Sequence, residues 1–137
     1  MKTLPRWLAV LALLLAPLAA SAQQGLEIDI VGGNASALPI AIVPMPYQGS
    51  ATAPETDVAA IVRADLERSG AFRSLPVASI VERPTRGSEV QYPTWRALKQ
   101  DYLVVGRVVD ASGGGFRVEY ELFDVAKQER LLGEIKT

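Results

Sequence analysis

The chain has no cysteine and no histidine in its 137 residues. Without cysteine there is no disulfide framework and no thiolate metal site, so stability rests on the apolar core alone. Without histidine the commonest general base and the commonest transition-metal ligand are both missing. Aromatic residues are sparse, at 7%. Charge of neither sign dominates: 14 Lys and Arg stand against 15 Asp and Glu. Such a balance gives no electrostatic footprint for nucleic acid or for an anionic membrane surface. Serines 69, 74 and 79 have no histidine to activate them, and no G-x-S-x-G elbow occurs. No D-x-D-x-D-G spacing marks a calcium loop. No catalytic residue, cofactor site or metal site is therefore expected.

One long apolar run is present, at the start. Lys2 and Arg6 precede Trp7–Ala16, Pro17 breaks the run, and Ala20-Ser21-Ala22 closes it before Gln23. This is the order of a secretory signal, with Ala20 and Ala22 as the small residues of the cleavage site and Gln23 as the new terminus. As a helix, Trp7 to Ala22 would span about 24 Å against a hydrocarbon core of about 30 Å. An uncleaved anchor is the alternative. No cysteine is available for a lipid at the cleavage point, and no twin-arginine pair precedes the run. The expected product is exported by the general secretory route. Removing Lys2 and Arg6 with the leader leaves 12 basic against 15 acidic residues, a net charge of −3 over 115 residues, enough for one compact domain.

Beyond the leader, Leu26, Ile28 and Ile30 alternate with Glu27 and Asp29, the period of a half-buried strand running to Val31. Gly32-Gly33-Asn34 ends it. Leu38–Val43 is a second apolar stretch, and its core Ile40–Val43, between Pro39 and Pro44, is continuous, as in a strand buried on both faces. Residues 54–69 are expected to form a helix, capped by Thr52 or Thr56 and stopped at Gly70, with Val58, Ile61, Val62 and Leu66 as its apolar stripe and Arg63 and Glu67 as an outward pair. Phe72 is expected to fold back on the core. Val77–Val81 reads as a short strand and Pro93–Leu98 as a short helix. Tyr102–Val109 and Phe116–Asp124 form a hairpin around Gly113-Gly114-Gly115, and Arg130–Ile135 adds a third strand. The order β-β-α-(β)-α-β-β-β implies an α+β fold: one mixed sheet with helices packed on it and a C-terminal antiparallel meander.

Three constellations carry chemistry in principle. The triple glycine joins two strands and does not lead into a helix, so it is a hairpin tip and not a phosphate loop. Glu119 and Glu121 share a strand face with Asp124 nearby, but Arg107 and Arg130 are placed to neutralise them across the strands, giving ion pairs in place of an acid/base pair. Tyr92 with Trp95 is either a packing anchor or an aromatic contact patch.

The leader, Leu26–Gly33, Leu38–Pro44, the Val62-Arg63-Ala64-Asp65-Leu66 helix with its Ser69-Gly70-Ala71-Phe72 exit, Trp95–Leu98, and Asp101–Val108 occur in an order and spacing that resembles the TolB family of the periplasmic Tol-Pal system. The resemblance covers nearly all of the chain after the leader. It implies a division into signal (1–22), a partner-binding N-terminal segment (23–33) and a family α/β domain (34–137), with the closing helix and C-terminal six-bladed propeller of the family lacking. It also implies a non-enzymatic role in outer-membrane integrity and cell division. The N-terminal segment, here Leu26, Glu27, Ile28, Asp29, Ile30 and Val31, would engage the C-terminal domain of TolA by strand addition. Pal would be a partner only where a propeller is present. Val31-Gly32-Gly33 is more glycine-rich and less acidic than the family pattern. No nucleic acid and no small-molecule substrate are implied. A sheet face left uncovered for want of the closing helix is a further expectation. The alternative function is a stand-alone secreted domain that binds a small ligand on its sheet face.

Overall fold

The structure is a computed structural model that describes residues 36–136. Five strands form one mixed sheet in the order β2-β1-β3-β4-β5. β1 (Leu38–Ile42) lies inside, parallel to both β2 (Phe72–Ser74) and β3 (Tyr102–Asp110). Ile40, Ala41, Ile42 and the following Val43 are all buried, as the unbroken apolar run requires of a strand covered on both faces. Pro39 costs this interior strand no ladder bond, because the β1–β3 pairing opens one residue later, at Ile40 opposite Tyr102.

Pro44 and Pro46 interrupt the strand, and Tyr47 then rejoins the sheet as a single parallel bridge to Val108. Helix α1 (Val58–Arg68) starts later than residue 54. Its cap is neither threonine: the Asp57 carboxylate accepts the Ala60 amide at 3.0 Å. The buried stripe also turns from the expected one. Ala59 is buried and Val62 and Leu66 pack on the sheet, while Ile61 faces outward at 50% exposure. A small residue at 59 lets the helix sit close to the sheet, and that rotation carries Ile61 away. Arg63 and Glu67 do not pair. The Arg63 guanidinium donates to the Ile42 carbonyl at 3.1 Å, and the Glu67 carboxylate accepts the Ser74 hydroxyl. Gly70 ends the helix in the left-handed region (φ +73), as expected.

Phe72 does more than fold back: it opens the edge strand β2. Val77–Val81 is not a strand. Pro76 leads into a 3-10 turn over Val77–Ser79, and only Ile80 of the segment is buried. A second 3-10 turn, Gly87–Glu89, precedes α2 (Tyr92–Ala97), which has proline in its first turn as expected. The antiparallel meander is as expected: β4 (Phe116–Asp124) pairs β3 throughout and β5 (Glu129–Lys136) forms the outer edge. Glycines 113–115 all take positive φ at the first hairpin, and Gln128 takes it at the second.

The sheet carries a core on each face. On one side α1 covers Ile40, Ile42 and Val104. On the other, the 75–100 segment packs Ile80, Val90 and Trp95 against Ala41, Val43, Leu103, Val105, Phe123 and Val125. Trp95 is wholly buried and Tyr92 meets Phe123 edge to face at 6.2 Å, so this aromatic pair anchors packing.

Candidate functional site

The sequence-derived contact residues Leu26, Glu27, Ile28, Asp29, Ile30 and Val31, and the cleavage residues Ala20, Ala22 and Gln23, lie outside the described residues. The described residues present three surface features: two grooves, one on each sheet face, and a clamp at the sheet end.

The first groove is polar. Alternation along β3 and β4 sends Arg107, Arg117, Glu119 and Glu121 to the face covered by the 75–100 segment. Arg107 pairs with Glu119 across the strands, and the Arg117 guanidinium reaches the same carboxylate at 2.9 Å. Arg130 of β5 meets Glu121 at 3.1 Å. The second Glu121 oxygen accepts the Gly87 amide at 2.6 Å. Gly87 has to be glycine for this contact, since a Cβ there would lie 2.7 Å from the Phe123 ring. The groove of about 790 Å³ between the Arg86 loop and the sheet is thus floored by carboxylates already held by arginine. Asp124 is elsewhere, capping the β4–β5 turn through the Lys127 amide at 2.9 Å. Ion pairing across the strands is the arrangement expected for Glu119 and Glu121. Among the described residues no group of three Asp or Glu side chains is arranged to hold a metal ion.

The second groove is apolar, about 400 Å³ on the α1 face. Leu66 and Phe72 form one wall, Tyr102, Tyr120 and Leu122 the floor, and Leu132 of the edge strand the far rim. Phe72 and Tyr102 meet edge to face at 6.3 Å. α1 spans only the β2-β1-β3 half of the sheet, so among the described residues the β4–β5 half has no second layer on this face, and Leu132 is 41% exposed. The groove opens onto this strip. Its exact lining was not legible, because it depends on β2, which is too short to show an alternation.

The clamp joins the β1–α1 loop to the end of β3. One oxygen of the Asp110 carboxylate accepts the Tyr47 hydroxyl. The other accepts the Ser50 amide at 2.8 Å, the Ser50 hydroxyl at 3.1 Å and the Ala51 amide at 3.3 Å. The Tyr47 hydroxyl, followed by the Ser50 amide, holds the Asp110 carboxyl below its ordinary value. Tyr47 is pushed up, first by partial burial and then by its bond to Asp110. The signal for this site, a tyrosine after a Pro-x-Pro break and an aspartate ending a strand, lies too far apart in sequence to be read together.

A mixed five-stranded sheet with a helix on one face, an irregular α-containing layer on the other and a C-terminal meander defines the chain as an α+β domain. The TolB amino-terminal domain family matches residues 26–131, and the chain belongs to that family. The match opens at Leu26, where the alternating segment begins. The chain is 71% identical over 134 residues to the Tol-Pal system protein TolB of Xanthomonas oryzae pv. oryzae, and 72% identical over the same length to that of Xanthomonas campestris pv. campestris. Each alignment covers 97% of this chain and 30% of the relative, so the chain spans about a third of the length of these proteins. Among solved structures, TolB from Acinetobacter baumannii is similar at a TM-score of 0.57 and 33% identity, over 74% of this chain and 23% of that one. The LpoB C-terminal domain from Salmonella enterica shares the fold, at a TM-score of 0.54 and 14% identity, over 74% of this chain and 81% of that one. Among the described residues no helix is long and apolar enough to cross a membrane.

Proposed function

We propose that this chain serves the Tol-Pal system as a periplasmic, non-enzymatic adaptor, in outer-membrane integrity and cell division. The observation that carries this reading is the 71–72% identity to proteins named for that system, over 97% of the chain. Export would use residues 1–22, with cleavage after Ala22 freeing the segment 23–33. Leu26, Ile28 and Ile30 would then fill pockets along a sheet edge of the TolA C-terminal domain, with Glu27 and Asp29 setting charge and main-chain bonds supplying affinity. Pal becomes a partner where the family's propeller accompanies this domain.

The test is a pull-down of the mature chain on the TolA periplasmic C-terminal domain. Binding is expected with residues 23–33 present and is expected to vanish on their deletion. Undiminished binding after the deletion would overturn strand addition, and no binding by the mature chain would overturn the adaptor reading. A second reading, small-ligand binding, is favoured by the apolar groove, whose roughly 400 Å³ falls within the usual range for such sites.

A further inference from the structure

The β1–α1 loop is tied down unevenly. Its inner side has two backbone bonds to β3, from the Val108 amide to the Pro46 carbonyl at 2.9 Å and from the Gln48 amide to the Val108 carbonyl at 2.7 Å. Its outer side, Ser50 and Ala51, together with the Tyr47 hydroxyl, converges on the one carboxylate of Asp110. Phe116 completes the site with an edge-to-face contact on Tyr47 at 5.9 Å. Residues 48–53 are otherwise exposed.

What the loop covers is apolar. Along β3, Tyr102 and Val104 face the α1-side groove, and Gly106 is the next residue on that strand face. Met45 lies over it: a Cβ at Gly106 would be 3.2 Å from the Met45 sulfur and 3.2 Å from Cβ of Tyr120, a groove residue. Met45 therefore lies on the same strand face just past Val104, the last β3 residue that lines the groove.

We propose that Asp110 is a latch that holds residues 45–51 as a strap along the edge of β3, with the Met45 side chain over Gly106, and that the strap opens without unfolding the sheet, lengthening the apolar groove past Gly106. The strap is held by two backbone bonds, one carboxylate and the Tyr47–Phe116 ring contact, whereas the β3–β4 ladder beside it runs in register over nine residue pairs, from Tyr102–Asp124 to Asp110–Phe116. Segments with few buried contacts open at lower free energy than the elements they cover.

Hydrogen exchange on the full chain tests the latch. In Asp110→Asn, exchange of the amides from Gln48 to Ala51 is expected to rise at least about tenfold, since charge-assisted bonds are replaced by weaker and partly mismatched ones. The amides of Leu103–Val105 should keep their rates. Tyr47→Phe should speed the same strap amides by a smaller factor. Unchanged strap exchange in both variants would overturn the latch, and an equal rise across β3 and α1 would show global destabilisation and overturn it too. Hydrogen peroxide then reads the groove. Met45 is the one methionine besides Met1, so its conversion to the sulfoxide is a clean mass change. Faster Met45 oxidation in Asp110→Asn supports the lengthened groove, and an unchanged rate alongside faster strap exchange refutes it.

Discussion

Gly106 sits in the middle of the longest ladder, opposite Tyr120. A methyl group there would lie 2.6 Å from the Glu119 carbonyl oxygen, with the Met45 sulfur and Tyr120 Cβ both at 3.2 Å. The closest atom is backbone of the paired strand, so no side-chain rotation relieves the clash, and β3 and β4 must separate locally. Overpacking of this kind costs about 1–3 kcal/mol. Alanine also restrains the unfolded chain, which offsets about 0.5–1 kcal/mol. Taken at the midpoints of these two ranges, Gly106→Ala is expected to destabilise the domain by about 1 kcal/mol. For a domain of this size that lowers the melting temperature by about 4–8 °C. Trp95 is the one tryptophan besides Trp7, and it is wholly buried, so in a chain begun at residue 23 its fluorescence reports the urea midpoint directly. Gly113→Ala is the control. It meets nothing within 4 Å but sits at φ +87, so its cost is conformational alone, about 1 kcal/mol. A Gly106→Ala midpoint equal to or above the wild-type value would refute the close approach of β3 and β4 on which this reasoning rests.

Trp95→Ala removes the largest fully buried side chain of the second core and is expected to cost about 3–5 kcal/mol, measured by the circular-dichroism melt. Binding to the partner domain, assayed below the lowered melting temperature, should be unaffected, because the side chain reaches no surface. The clamp predicts a pH dependence. The Asp110 carboxyl is held below its ordinary 3.8, so its stabilisation is fully present above that value and is lost as pH falls through the lower folded-state value. The difference in strap exchange between wild type and Asp110→Asn should therefore be constant from about pH 7 to pH 5 and close only below about pH 4. Closure near neutrality would contradict it.

The elements with long, uninterrupted patterns were legible: β1 from its apolar run, the meander from its alternation around glycines, the helix around Val62 and Leu66. The misreadings have local physical causes. Residues 54–57 carry good first-turn residues, yet Asp57 competes more effectively as a cap and the helix waits for it. Ile61 fits the stripe by spacing, but the axial rotation was chosen by Ala59, whose smallness no hydrophobic count rewards. Residues 77–81 have strand composition, and Pro76 turns them into a 3-10 turn. β2 has three residues and exists because β1 presents a free edge to it; nothing within the segment announces a strand. Of the surface features, the neutralisation of Glu119 and Glu121 by cross-strand arginines followed from alternation, whereas which arginine meets which carboxylate is set by the register of the strands. The Tyr47–Asp110 clamp did not, since it joins residues 63 positions apart.

The position of β1 in the sheet bears on the order in which the domain assembles. A chain is made from its N-terminus, so the Ile40–Val43 run emerges long before Tyr102 begins the strand that covers it. The meander β3-β4-β5 closes through short turns and can form quickly, whereas β1 must find partners distant in sequence, the slower kind of contact. In that interval an apolar, β-branched tetrapeptide is bare, the type of segment that seeds aggregation. Pro39 and Pro44 bracket it. In the folded domain they cost the sheet little; in the waiting chain each removes an amide donor that a stray strand would need, so the same two residues that bracket the run also guard it until its neighbour arrives.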